Sequence, residues 1–466
     1  MTAITDHGRL AARRRGLALA VLAGALALDL SGLGVLNAAL PVIEDQFGLD
    51  SATLQWAMTA YAVTFAGFLL FGGRVADVYG RRLVFAVGVV LFSAAALAGA
   101  LAPDFSVLIV ARAAQGVGAA LSGPAALALL MECFPEGPVR NRALGIYAAV
   151  GAASFSGGML LGGMLTQNFG WRSVLVFSAV FGVVVLGATR AGLPGGKGHR
   201  GSLDLPGVVS VTAGLVLMVF AASRGGETGW SETGTLGALA AAVISLVMFA
   251  LWERRAREPL LPPVIFRVAS VRAAALTAFL QYASSVGLLF FAPLYLQGML
   301  GYSPLLSGLS VIPMSLTVFL TANFCTGRLL GKFGTRPLMI SGLVLMGVGP
   351  LLWMWTPLDG TYWLHALPGF VLSGIGQGLA FPAMTSAALT GVDQRQHGVA
   401  GALNTIAQQI GASVGVAALV MIATAAAGEG QAGLLSGYHM AYLTAAAACL
   451  LGVLIIAITR PWNGEK

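Results

Sequence analysis

Long apolar runs follow one another along almost the whole chain, and no other feature constrains its fold as strongly. They fall near residues 17–39, 54–73, 83–102, 105–131, 142–166, 172–190, 204–223, 234–252, 270–297, 304–326, 337–356, 362–388, 399–427 and 439–459. A helix crossing a bilayer needs roughly 20 apolar residues, so the pattern predicts fourteen spans. The punctuation is short, as in "PDF", "TQNFGW" and "LGYSP", and leaves no room for a soluble domain. The runs are continuous rather than alternating, which argues against a β-barrel. Composition agrees: 57% of residues are hydrophobic and 9% charged, against about 25% charged in soluble domains. The 63 glycines suit closely packed spanning helices.

Charge placement tests the count. With the N-terminus inside and the spans alternating, 23 of the 26 Lys and Arg residues fall on the inner side. Arg172 and Arg224 fall outside, and Arg112 lies within a span. A wrong number of spans would scramble this asymmetry, so the positive-inside rule predicts both termini in the cytoplasm. Topology thus accounts for the net charge of +8, which gives no reason to invoke nucleic acid. The opening "MTAITDHGRLAARRRG" reads as a cytoplasmic tail rather than a cleaved signal, because the apolar run after it is too long.

An internal repeat is visible. "GGRVADVYGRR" (72–82) follows the second run and "TGRLLGKFGTR" (326–336) the tenth. Gly73, Arg74, Gly80 and Arg82 recur as Gly327, Arg328, Gly334 and Arg336. A weaker echo links "AQGVGAALSGPAALALL" with "GQGLAFPAMTSAAL". Spans 1–6 therefore map onto 9–14, with spans 7 and 8 inserted, packed peripherally or filling the gap between bundles on the lipid side. The division expected is 1–191, 192–268 and 269–466. Repeats with a site at their interface mark secondary transporters.

These stretches resemble the major facilitator superfamily, and within it the fourteen-helix drug:proton antiporters. "LQWAMTAYAVTFAGFLLFGGRVADVYGRR" (54–82) is similar to that family's second helix and loop signature. "RAAQGVG" (112–118) resembles its fourth-helix signature, "VLNAALP" (35–41) the end of its first helix, and "GWRSVLVFSAV" (171–181) the start of its sixth. The resemblance implies an all-α polytopic membrane protein of the major facilitator fold: two six-helix bundles plus two inserted helices. It implies alternating access, with export of hydrophobic or cationic small molecules, drugs or antibiotics, in exchange for protons. A monomer in the cytoplasmic (inner) membrane is expected, with lipid, protons and the small-molecule substrate as its partners.

Asp29 and Arg112 are the candidate proton-coupling pair. Arg112 lies eight positions past Asp104, about 12 Å below the outer interface, and Asp29 about 21 Å above Arg15. These estimates put both at similar depth, facing each other directly or through water. A lone charge there costs at least about 2.5–3.5 kcal/mol, and intramembrane ionisable residues are functional by default. Burial and a nearby cation pull a carboxyl's proton affinity in opposite directions, so small movements could switch it. In the loop, Asp77 can pair with Arg81, and Glu132 ends its span on the same side. The resemblance implies that Gly73, Asp77, Gly80, Arg81, Arg82 and Glu132 form a gate locking the outward-facing state; a solvated basic loop is the plainer alternative.

Two positions depart from the family pattern. Gly32 stands where its first-helix acid usually lies, with Asp29 one turn earlier. The fifth-helix antiporter signature Gly-Pro-x-x-Gly-Gly reads Gly158, Met159, Gly162, Gly163, so the kink that proline imposes is gone. This leaves open a facilitator or symporter of a metabolite or lipid; a membrane-embedded enzyme or scaffold is a third reading, against which the repeat argues.

Gln115, Gln281, Tyr282, Phe290, Gln377, Asn404 and Gln408 are candidates for lining a substrate cavity, or for gluing helices together. Trp353 and Trp355 read as an interfacial belt. No phosphate loop is present, so the proton gradient is the expected energy source and no cofactor is called for. The histidines and Cys133, Cys325 and Cys449 show no metal spacing.

Overall fold

In the computed structural model, the described residues are 2–135, 138–194, 204–229, 231–256, 263–392 and 397–459. Among them every element is helical: α1 Thr2–Asn37, α2 Leu40–Phe47, α3 Ser51–Leu54, α4 Trp56–Tyr79, α5 Arg81–Ala100, α6 Phe105–Cys133, α7 Pro138–Phe169, α8 Arg172–Gly192, α9 Leu205–Thr228, α10 Thr233–Glu253, α11 Ala269–Gly298, α12 Pro304–Ser310, α13 Ile312–Leu320, α14 Gly327–Phe333, α15 Thr335–Trp353, α16 Leu367–Leu389, α17 His397–Ala426 and α18 Gly430–Ile458. The opening tail is part of α1, which begins at Thr2. The run α12–α14 is one rod, 304–333, interrupted by a π-helical turn at Thr321–Thr326.

Eleven helices among the described residues are long and apolar enough to cross a membrane, or twelve counting Trp56–Leu69 and Phe71–Tyr79, which meet at 50°. The protein is therefore a multi-pass membrane protein. Helices also cover the remaining two apolar runs, α7 over 32 residues and α9 over 24.

Packing partners correspond between the two parts of the chain. Helix α1 packs on α7 and α8, α4 on α6, and α5 on α6 and α8; likewise α11 packs on α17 and α18, α13 on α16, and α15 on α16 and α18. Two seams join the sets, α7 against α12 and α13, and α17 against α4. The second seam alone carries α9, which packs on both α4 and α17 and has α10 outside it. The Thr212 hydroxyl donates to the Gly67 carbonyl at 2.7 Å. Leu69, Val211, Leu215 and Ile406 form a small apolar cluster there.

The correspondence extends to single residues. A β-carbon on Gly88 of α5 would stand 2.6 Å from the Ser122 nitrogen and 2.7 Å from the Gly118 oxygen. One on Gly342 of α15 would stand 2.7 Å from both the Ala380 nitrogen and the Gly376 oxygen. Only glycine permits such approach of two helix backbones. Gly80 and Gly334 end the second helix of each set at φ 103° and 80°, a region that favours glycine, which explains their recurrence in the repeat.

The core is distributed unevenly along the helices. At the end away from the arginine-rich loops, one cluster takes side chains from both sets: Leu36, Leu40, Met58 and Met159 with Phe290, Phe291, Val311, Met314 and Val420, among others. Gln297 Nε2 also donates to the Ala38 carbonyl across the sets at 3.2 Å. At the basic end the clusters are separate, one within α1 and α4–α8, another within α11 and α14–α18. The molecule is sealed at one end by this large shared cluster; towards the other, among the described residues, the sets share only the small Leu69–Val211–Leu215–Ile406 cluster at the α4–α17 seam.

Candidate functional site

Asp29 is 6% exposed on α1. Its Oδ2 accepts from the Ser122 hydroxyl of α6 at 3.4 Å and lies 4.0 Å from where a β-carbon on Gly123 would stand. The Tyr61 hydroxyl of α4 donates to the Asp29 main-chain carbonyl at 3.2 Å. Tyr147 of α7 lies within Coulomb reach. Helices α4, α6 and α7 thus converge on one residue of α1.

Arg112 is fully buried on α6. Its Nε donates to the Ala57 carbonyl at 2.9 Å and its Nη1 to Gln115 Oε1 at 3.0 Å. The guanidinium stands 4.7 Å over the Tyr61 ring, a cation–π arrangement. Ser122, the residue at Asp29, is ten positions further along α6, about 15 Å at 1.5 Å per residue. The two charges are therefore at different depths, with Tyr61 between them, rather than face to face. Counting residues from assumed interfaces treated both helices as upright and in common register, which packing need not respect.

At the basic end Arg81 joins Asp77 at 3.3 Å and Glu132 at 3.5 Å, so the predicted cluster ties α4, α5 and α6 together. The Arg82 Nη2 donates to the Arg190 carbonyl at 3.3 Å. Gly73 faces Pro124 of α6. Among the described residues, these contacts all lie within the first set of helices.

The α7 motif lies in the seam. Gly162 rests on the Val35 backbone of α1 and Gly163 on Pro304 of α12, both close enough to exclude any β-carbon. A β-carbon on Gly308 would stand 2.5 Å from the Met159 oxygen. Gly158 and Met159 are buried, Met159 in the shared cluster at the sealed end.

The cavity candidates scatter. Gln281 is fully buried inside the second set, facing Thr277, Met339, Leu343, Ala380 and Met384. Phe290 belongs to the seal, edge-on to Phe291 at 5.3 Å. Neither is placed to line a space between the sets. Gln377 Oε1 accepts from Ser285 at 3.4 Å, linking α16 to α11. Tyr282 is half-buried, and Asn404 and Gln408 are buried on α17. Trp353 is enclosed by Tyr295, Phe370 and Tyr442; it is a core residue and not part of a belt, whereas Trp355 is 68% exposed. Gly32's surroundings and Arg140, Arg142 and Arg395 lie outside what is described.

Ser122 escaped the sequence reading. A serine in an apolar helix carries no signal by itself. Setting "LSGPAALALL" against "AFPAMTSAAL" on their shared proline would have exposed it, since Ser122 then falls opposite Ala380.

Residues 22–416 match the Major Facilitator Superfamily. The chain is 37% identical over 454 residues to a puromycin resistance protein of Streptomyces alboniger, covering 95% of this chain and 89% of that one. It is 36% identical over 434 residues to a cephamycin export protein of Amycolatopsis lactamdurans, covering 92% and 88%. In three dimensions it is similar to the nucleoside transporter NupG, with a TM-score of 0.69 at 12% identity over 96% of this chain and 99% of that one. The human organic anion transporter TETRAN aligns with a TM-score of 0.64 at 17% identity over 95% and 99%. The chain belongs to the major facilitator superfamily of membrane transporters.

Proposed function

We propose that this transporter exports hydrophobic or cationic small molecules of the antibiotic class by alternating access, in exchange for protons. The resistance and export names of its relatives support the substrate class. The observation that carries proton coupling is Asp29, an acid held inside the apolar span by the hydroxyl of Ser122. A carboxyl in such a place is costly to bury, and intramembrane ionisable residues are functional by default.

The basic end is taken as cytoplasmic by the positive-inside rule, so the sealed end faces away from the cytoplasm. The arrangement is then the cytoplasm-facing one. The chain divides at 1–191, 192–268 and 269–466 and crosses the membrane fourteen times as a monomer, with both termini cytoplasmic. Switching requires the shared cluster around Met159 and Phe290 to part while the basic ends close. The Asp77–Arg81–Glu132 cluster holds the basic end of the first bundle as one rigid unit through that movement. The expected locking of the outward state needs a partner across the bundles, and the cluster supplies the charge for one.

The test is transport in proteoliposomes with an internal pH dye and an imposed proton gradient, using puromycin and a cephamycin first. Antiport discharges the gradient on adding substrate, and Asp29→Asn abolishes that discharge while the protein still folds. Intact proton-driven transport in Asp29→Asn sinks the reading. Met159, buried where the family signature has proline, favours the facilitator alternative, which predicts that puromycin moves with no effect on the gradient.

A further inference from the structure

The Ser122 hydroxyl has one proton and three acceptors. Its oxygen is 3.4 Å from Asp29 Oδ2, 3.1 Å from the Gly118 carbonyl and 3.3 Å from the Ala119 carbonyl. When Asp29 is ionised, the hydroxyl can turn its proton to the carboxylate. When Asp29 is protonated, the hydroxyl can return its proton to its own helix and accept from the carboxyl O–H. Serine serves both forms because it donates and accepts.

Packing does not require that hydroxyl. In the second set Ala380 occupies the corresponding place, beneath the same glycine approach, with Gly342 and Gly376 standing for Gly88 and Gly118. A methyl group fills the spot in one repeat, and a hydroxymethyl in the other. The repeat with the hydroxyl is the repeat with the acid. The surroundings are otherwise sparse in charge. Tyr61 faces Asp29 from α4 and Tyr147 from α7, while Arg112 stands on the far side of the Tyr61 ring. On α8, Gly182 meets the neighbouring Leu28 and offers nothing that titrates.

We propose that Ser122 is the positioning residue that sets the pH at which Asp29 exchanges its proton, its hydroxyl stabilising the ionised carboxylate. The inference rests on the proton-coupling reading of Asp29 and adds a residue to it. A hydrogen bond to the charged form favours that form, and bonds to charged groups are the stronger kind. Removing the hydroxyl should therefore raise the pH at which Asp29 is half-ionised.

The experiment is an infrared pH titration of the full-length protein in lipid, following the protonated-carboxyl band that Asp29→Asn removes. In Ser122→Ala the midpoint is expected to rise by about one pH unit, a roughly tenfold change in proton affinity. Ser122→Thr, which keeps the hydroxyl, should stay with the parent protein. Unchanged thermal midpoints in both variants show that the fold tolerates them, as Ala380 leads one to expect. A Ser122→Ala midpoint coinciding with the parent overturns the proposal and leaves the transport role of Asp29 standing. Loss of that role shows separately, in gradient-driven puromycin transport by Asp29→Asn.

Discussion

Gly163 of α7 and the main chain of Pro304 on α12 touch where the two sets of helices meet, with no room between them for a β-carbon. One turn below, the relation is reciprocal, since Gly308 of α12 lies against the Met159 carbonyl of α7. Gly163 of α7 and Gly308 of α12 are thus the places where one half's backbone rests on the other, while Gly162 packs on α1 within its own half. In the absence of a hydrophobic force between helices in lipid, such close packing is what holds a seam together.

Gly163→Leu should force this seam apart. Overpacking of this kind costs about 1–3 kcal/mol, and here the contact is with backbone, which cannot rotate away. The expected result is a lower thermal midpoint and a sealed end that opens. A cysteine at Met159, fully buried in the parent, reports it: with the native cysteines replaced, it should react with a water-soluble maleimide only in the Gly163→Leu background. Continued protection there would show that the seam absorbs the side chain.

The Asp77–Arg81–Glu132 cluster separates stability from gating. Its side chains are 37–53% exposed, and exposed ion pairs contribute about 0–1 kcal/mol. Asp77→Asn and Glu132→Gln should barely move the thermal midpoint. If the cluster keeps the first bundle rigid during switching, puromycin transport should nevertheless fall by roughly tenfold, on the scale where 1.4 kcal/mol is a factor of ten. A large thermal shift with proportionate loss of activity would assign the cluster to folding alone.

Glu232, at the start of α10, gives a pH prediction. Its carboxylate accepts from Arg224 Nε at 3.0 Å and from the Thr235 main-chain N–H at 3.0 Å. The hydrogen bond from Arg224 comes first among the causes that lower its pKa to about 2. A pKa lower in the folded protein than in the unfolded chain means stabilisation that is present above the unfolded value of about 4.3. It is lost as the pH falls towards 2. In acid thermal unfolding, Glu232→Gln should therefore lose the part of the slope between roughly pH 4 and 2 that this group provides, and match the parent most closely at the acid extreme. Parallel curves across that window would exclude the contribution.

Much of the fold was legible in the chain because lipid is a simple solvent. It demands that backbone groups bond internally, so each long apolar run had to be helical, and the observed helices cover the predicted runs. The recurrence of Gly80 as Gly334 was legible for a local reason, since both end a helix at positive φ. Pairing at the basic end was legible as well, because Asp77 and Arg81 lie four residues apart across the short turn at Gly80.

Depth and facing were not legible. Asp29 and Arg112 looked like partners because distance along a helix was all the sequence offered. Tilt and packing gave Asp29 to Ser122 and laid Arg112 over Tyr61 instead. From the sequence Phe290 reads as a cavity residue, Gln281 as cavity lining or helix glue, and Trp353 as a belt residue; in the fold each is fully buried, which suits only the glue reading of Gln281. By itself the sequence determined which segments are helices, which loops are basic, and that one acid lies deep in an apolar run. Only the tertiary structure decided which helix faces meet, which end is sealed, and that α9 covers one seam and not the other. The reason is physical: helix formation in lipid is a local consequence of the backbone, whereas the meeting of two faces depends on the shapes of residues hundreds of positions apart.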